Sequence, residues 1–213
     1  MLKNFSWLFP HRCVCCLGRL NGFSRPQARI SSACLRCQPP ILVAHHPLIG
    51  FDQLITTMPF TAEAAFLIKH AKYTPNVRLL RELGELLAEL ADPQIKLRPT
   101  QILAAPSHPK LLARRGINPA RLLAQALARR CGVPLLEPFT REVGRGPQAS
   151  LTRAVRARTG ARQLGCKGAI GPRVLIVDDV LTTGATLGAL ANLARRNGAE
   201  SVAGIALCDA SGR

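Results

Sequence analysis

The sequence predicts an α/β fold, a parallel twisted sheet flanked by helices and preceded by a small four-cysteine module. Three observations carry this. Val174-Leu175-Ile176-Val177 is an unbroken apolar run, the mark of a strand covered on both faces. Segments with helical apolar spacing stand beside such short runs, as a layered fold requires. The chain is 47% hydrophobic but only 4% aromatic, so its core is built from Ala, Leu, Ile and Val. At 213 residues it can bury one full core and carry a small appendage. The expected division is residues 1–50 for the appendage and residues 51–213 for the α/β domain.

Taken in order, the opening Met1 to Pro10 is apolar with one lysine. It is too short for a signal-peptide core and lacks a small-residue cleavage site. No apolar run approaches the roughly 18 residues a membrane helix needs. A cytoplasmic protein without membrane insertion is expected.

Residues 1–40 hold five of the eight cysteines: Cys13, Cys15, Cys16, Cys34 and Cys37. Cys13-x2-Cys16 and Cys34-x2-Cys37, seventeen residues apart, fit two knuckles converging on one tetrahedral zinc ion. Cys15 is an alternative to Cys13 or Cys16. Disulfides are disfavoured in a reducing compartment. Four thiolates close the shell, so this zinc is expected to be structural, and His11, His45 and His46 read as surface histidines.

Pro39-Pro40 closes the module, and Gly50 with Asp52 reads as a turn before the apolar run Leu54 to Met58. From Thr61 to Tyr73 the apolar positions Ala64, Ala65, Leu67, Ile68 and Ala71 have helical spacing. Pro75 suits the start of a second helix, whose stripe Leu79, Leu80, Leu83, Leu86, Leu87 and Leu90 ends near Asp92-Pro93. Gln101 to Ala105 reads as another buried strand. The loop Pro106-Ser107-His108-Pro109-Lys110 follows it, at the end of a strand where α/β folds bind ligands. Arg114-Arg115-Gly116 leads into a helix from Ala120 to Arg130. Lys110, Arg114 and Arg115 suit a pyrophosphate, or equally a solvated basic loop. Val133 to Glu137 reads as a short strand.

From Phe139 to Arg162 the sequence is polar and arginine-rich, with Arg141, Arg145, Arg153, Arg156, Arg158 and Arg162. Such a segment has little to bury and suits either a lid over a reactive ligand or a hold on a nucleic-acid backbone. The net charge of +17 points the same way, towards polyanions, although solvated arginine would also produce it.

After the run at Val174 come Asp178-Asp179, two spacers, then Thr182-Thr183-Gly184-Ala185-Thr186, and an Ala/Leu helix from Leu187 to Arg196 with Gly198 placed to stop it. The expected form is strand, loop, helix, with the carboxylates just beyond the strand. Backbone N–H groups at a helix start, with threonine hydroxyls nearby and Gly184 allowing close approach, make a phosphate site. Neither GxxxxGK[ST] nor GxGxxG is present. Carboxylates beside a phosphate must face something else, and sugar hydroxyls or Mg²⁺ satisfy them. A phosphorylated sugar is the ligand suggested. Ser201 to Leu207 reads as a last buried strand.

This acidic-threonine run resembles the signature with which type I phosphoribosyltransferases bind phosphoribosyl pyrophosphate (PRPP). Adding the cysteine knuckles, Lys72-Tyr73, the Pro106 loop, Arg115-Gly116-x-Asn118 and Gln148-x-x-Leu151, the chain resembles the ComF family over nearly its whole length. The resemblance implies a phosphoribosyltransferase fold with an N-terminal zinc finger. It implies that Asp178 and Asp179 hold the ribose hydroxyls of PRPP with Mg²⁺, and that the threonine loop holds the 5-phosphate. It also implies a role in natural competence or use of imported DNA, with single-stranded DNA and DNA-translocation proteins as partners. Pro119, Arg145, Thr159 and Ala105 depart from that family's pattern, all in the pyrophosphate loop and lid. PRPP binding is thus better supported than turnover, and either nucleobase salvage or a non-catalytic single-strand-binding module stands as the alternative.

Overall fold

The structure, a computed structural model, describes residues 12–14, 16, 17, 30, 31, 33–73, 76–142 and 164–212. Its main sheet has six strands: β1 (Ala44–His45), β2 (Gln53–Pro59), β3 (Gln101–Ala104), β4 (Leu135–Leu136), β7 (Arg173–Leu181) and β8 (Ser201–Asp209). They lie in the order β1-β2-β8-β7-β3-β4, parallel throughout except for β1 at one edge. A separate antiparallel ribbon joins β5 (Phe139–Arg141) to β6 (Leu164–Cys166). The helices are α1 (Ala62–Tyr73), α2 (Val77–Ala91), α3 (Pro109–Arg115), α4 (Pro119–Cys131) and α5 (Ala185–Arg196).

The sheet is a middle layer. On one face α1, α2 and α4 pack Leu67, Leu83, Leu87, Leu123 and Leu127 against Ile55, Leu175 and Ile205. On the other, α5 packs Leu187, Leu190 and Ala194 against Leu54, Ile176 and Val202. Val174 to Val177 are 0% exposed, as a run covered on both faces must be. Cys13, Ile30 and Ala33 join the first of these cores, so the cysteine segment is seated on the α/β body. β1, within residues 1–50, is hydrogen-bonded to β2.

Two local readings are corrected. Strand β7 does not end at Val177 but runs through the carboxylates to Leu181, because β8 continues beside it, pairing Asp178 with Ala206 and Leu181 with Asp209. Lys110, Arg114 and Arg115 stand on a short helix rather than in a loop. Pro109 occupies its first turn, where a missing N–H costs nothing, His108 caps it, and Gly116 ends it at φ +70°. Helix α2 starts behind Asn76, whose side chain accepts from the Leu79 N–H. Pro75 lies outside the described residues, as do Cys15, His11 and the expected lid residues Arg145, Gln148, Leu151, Arg153, Arg156, Arg158, Thr159 and Arg162.

Candidate functional site

The topology selects one crevice. From β3 the chain moves outward to β4, and from β7 it moves the opposite way to β8, so the β3–β7 border is a topological switch point. The last β3 residue, Ala104, pairs with Val177. Beyond it Asp178 to Leu181 have β8 on one side and the Pro106 loop on the other.

The acidic pair is held tightly. The Asp179 N–H donates to Asp178 Oδ1 at 2.8 Å, and Lys72 Nζ at the end of α1 lies 2.8 Å from Asp179 Oδ2. Both partners of that ion pair are about four-fifths buried, at 20% and 19% side-chain exposure, so it is not a screened surface pair. Burial, and then the Asp179 charge, push the Asp178 pKa up to about 7, against the pull of Lys72 and Arg141.

The threonine loop follows directly. Gly184 caps α5 at φ +72° and supplies no side-chain cap. The left-handed backbone favours glycine, and a Cβ there would also press on Leu48 Cδ1 at 2.9 Å. Thr182 and Thr183 are exposed, Ala185 and Thr186 half-buried in the first turn. The Ala185 N–H reaches Thr183 Oγ1 only at 3.4 Å. An uncapped helix start with hydroxyls around it is an anion site.

The Pro106 loop is pinned by Asn118, which sequence reading left out of the site. Ser107 Oγ donates to Asn118 Oδ1 at 2.9 Å, and Asn118 Nδ2 donates to the Ala105 carbonyl at 3.0 Å. Arg115 stacks on Tyr73 with its guanidinium carbon 4.5 Å from the ring centroid, and Arg114 lies at 5.6 Å. Lys72 and Tyr73, adjacent on α1, thus join the acidic pair to the α3 arginines. Lys110 is exposed beside His108, whose pKa is lowered by burial and then by Arg141 and Lys110.

Arg115 and Arg141 each keep a buried Nε with no hydrogen-bond partner among the described residues. Donors of that kind are costly without an acceptor, and an oxyanion would satisfy them. A cleft of about 560 Å³ opens under the loop, lined by Pro106, Ser107, Asn118, Phe139 and Arg141 among others. Its lining includes neither the carboxylates nor the threonines. Lys72 was legible as part of the Lys72-Tyr73 motif and Arg141 as one of the arginines after Phe139, but not their partners, which lie far off in sequence.

The thiols of Cys13, Cys16, Cys34 and Cys37 lie within 4.8 Å of one another, with Cys16 and Cys34 Sγ 3.7 Å apart. Tetrahedral Zn–S bonds of about 2.3 Å place sulfurs about 3.8 Å apart, so the cluster fits zinc. Burial and then bonding to the other thiols raise the Cys37 pKa, so a thiolate there calls for a cation. His46 instead meets Thr56 Oγ1 at 2.8 Å and is not among the metal-ligand candidates.

Comparison with known proteins matches residues 112–213 to the phosphoribosyl transferase domain family. The DNA utilization protein YhgH of Salmonella typhimurium is 29% identical over 191 residues, 86% of this chain and 80% of that protein. Competence protein F of Haemophilus influenzae is 29% identical over 168 residues, 72% and 71% of the two chains. Adenine phosphoribosyltransferase of Streptomyces galbus is 38% identical over 127 residues, 55% of this chain and 66% of that one. Among solved structures, adenine phosphoribosyltransferase from Leishmania tarentolae superposes with a TM-score of 0.44 at 15% identity, over 78% of this chain and 94% of that one. No described helix is long and apolar enough to cross a membrane.

Proposed function

We propose that this chain, a ComF-type member of the phosphoribosyltransferase family, binds PRPP with Mg²⁺ at the carboxyl ends of β3 and β7. In this reading Asp178 and Asp179 accept hydrogen bonds from the ribose hydroxyls. The α5 amides, with Thr182, Thr183, Gly184, Ala185 and Thr186, take the 5-phosphate. Pro106 and Ser107 border the pyrophosphate, and Lys110, Arg114 and Arg115 balance its charge. Mg²⁺ would be held with PRPP beside Asp178 and Asp179 and would supply further charge neutralisation. The observation that carries the reading is the uncapped α5 start behind a left-handed Gly184, directly after two carboxylates of which one already has a buried cationic partner. The unpaired Nε atoms of Arg115 and Arg141 support an anionic occupant.

The N-terminal module, residues 1–50, holds one structural zinc through Cys13, Cys16, Cys34 and Cys37, and residues 51–213 bind the ligand. The role we assign is cytoplasmic handling of DNA taken up in competence or used as nutrient, alongside DNA-translocation proteins. The relatives named for DNA utilization and competence support it.

A second reading, nucleobase transfer, is favoured by the adenine phosphoribosyltransferase relative. There a base nitrogen bonds to the anomeric carbon as the bond to pyrophosphate breaks, and Asp178 and Asp179 hold the ribose still. Binding of PRPP, ribose 5-phosphate and pyrophosphate, each with Mg²⁺, tests the first reading, with PRPP expected to bind tightest. Failure of PRPP to bind removes it. Pyrophosphate release on adding each nucleobase tests the second, and PRPP binding without release under any base leaves a binding protein.

A further inference from the structure

Helix α5 has no side-chain cap at its start, and an uncapped first turn tends to fray. A segment from elsewhere in the chain lies along it instead. Between β1 and β2 the stretch Leu48 to Asp52 follows α5 from its first turn to its last. A Cβ on Gly184 would stand 2.9 and 3.0 Å from the two Leu48 methyl carbons, so the Leu48 side chain covers that residue. The Ile49 carbonyl lies over Gly188, and Gly50, at φ +95°, lies so near Ala191 that a Cβ on it would stand 3.1 Å from the Ala191 Cβ. Arg195 closes the far end, its Nε donating to the Gly50 carbonyl at 3.1 Å and its Nη2 to Asp52 Oδ1 at 2.8 Å. Positions 184, 188, 191 and 195 share one helix face, so the strap runs for about 16 Å.

Both ends of the strap are fixed to the sheet. The His46 N–H donates to the Leu54 carbonyl at 2.9 Å, and the His46 ring meets Thr56 Oγ1 at 2.8 Å. Beyond the strap the Asp52 N–H donates to the Val202 carbonyl at 2.8 Å, and the Val202 N–H donates to Asp52 Oδ2 at 2.7 Å. The place of Leu48 is therefore set by β2 and β8 rather than by the helix it covers. Ile49 is 88% exposed, whereas Leu48 packs against the core beneath α5. The first bond of that helix, from the Gly188 N–H to the Gly184 carbonyl at 2.7 Å, closes at the residue Leu48 covers.

We propose that Leu48 is a positioning residue for the phosphate site, holding the first turn of α5 closed so that its amide groups are preset for a sugar phosphate. This rests on the reading of that helix start as the place of the 5-phosphate. Gly184 has more backbone freedom than any other residue would have there. A ligand that had to order that turn would bind more weakly, and Leu48 removes the freedom in advance. Pyrophosphate, assigned to the Pro106 loop, makes no use of α5 and supplies the internal control.

Isothermal titration of the full chain with ribose 5-phosphate and, separately, with pyrophosphate and Mg²⁺ tests it. Leu48→Ala should weaken ribose 5-phosphate about tenfold while pyrophosphate stays within about twofold. Leu48→Met, which keeps the volume, should stay within about twofold for both ligands. Amide hydrogen exchange in the first turn of α5 should quicken in Leu48→Ala and not in Leu48→Met. If the alanine variant does not fold, Leu48→Val takes its place with an expected loss of about threefold. Equal losses for the two ligands would mark Leu48 as a general packing residue and overturn the proposal, as would a Leu48→Met variant as weak as Leu48→Ala. Wild type and Leu48→Ala binding ribose 5-phosphate alike would overturn the strap and leave the phosphate site standing. Wild type that takes pyrophosphate and not ribose 5-phosphate would remove the phosphate site, and the role of Leu48 with it.

Discussion

Replacing Asp178 by asparagine tests whether the acidic pair is a ligand site held at the expense of stability. Burial and the adjacent Asp179 charge raise the Asp178 pKa from 3.8 to about 7. A carboxyl group whose pKa is higher folded than unfolded binds more protons in the folded state between the two values. The contribution of Asp178 to stability is therefore most favourable below about pH 4 and falls as pH rises towards 7. The gap of about three pH units, at 1.36 kcal/mol each, sets a ceiling on the order of 4 kcal/mol. The net effect is smaller, because the two carboxylates titrate together and asparagine no longer attracts Arg141. A gain of about 1–2 kcal/mol at pH 8 is expected, raising Tm by about 2–8 °C for a chain of this length. Asparagine keeps an oxygen for the Asp179 N–H, so the local bond survives. Circular-dichroism melts at pH 4, 6 and 8 read the difference, which should vanish at pH 4 and grow upward. An equal or lower Tm for the variant at pH 8, or an offset independent of pH, would refute the reasoning.

Three further outcomes follow from neighbouring contacts. Lys72→Met leaves Asp179 without its ion-pair partner beside another carboxylate and should cost about 1–3 kcal/mol in urea unfolding; an unchanged midpoint would mean that the pair is slack. Asn118→Ala removes the bonds to Ser107 and to the Ala105 carbonyl. It should weaken pyrophosphate binding in calorimetry while costing about 1–2 kcal/mol of stability, and full retention of both would show that the loop is held by other contacts. Metal analysis should find about one zinc per chain, and a strong chelator should lower Tm. Protein purified without chelator and free of zinc would rule out the four-thiolate centre.

Much of this site was legible in sequence because its parts are local. Val174 to Val177, the acidic pair and the threonine loop are consecutive, and the paired cysteines announce themselves by spacing. What was not legible depended on partners elsewhere in the chain. The continuation of β7 through Asp178 and Asp179 is imposed by β8, which pairs with it to Asp209. Two adjacent carboxylates carry no strand pattern of their own. Helix α3 was hidden by Pro109, which reads as a breaker until His108 and Gly116 are seen to cap the segment at either end. Strand β1 spans two residues, too few for any alternation to show. Lys72 stood out as part of the Lys72-Tyr73 motif, but its partner did not, since only folding sets it against Asp179. The buried face of α1, Ala64, Leu67, Ile68 and Ala71, is the one its helical apolar spacing marked.

The central claim is that a sugar pyrophosphate sits against the acidic pair and the start of α5. Isothermal titration of PRPP with Mg²⁺ into wild type and into Asp178→Asn/Asp179→Asn tests it most directly. Saturable heat with wild type and at least about a hundredfold weaker binding by the folded double variant is the predicted result, since two buried charged hydrogen-bonding groups are lost at about 1.5–3 kcal/mol each. Equal affinity in the two proteins, or no heat with wild type, would contradict it.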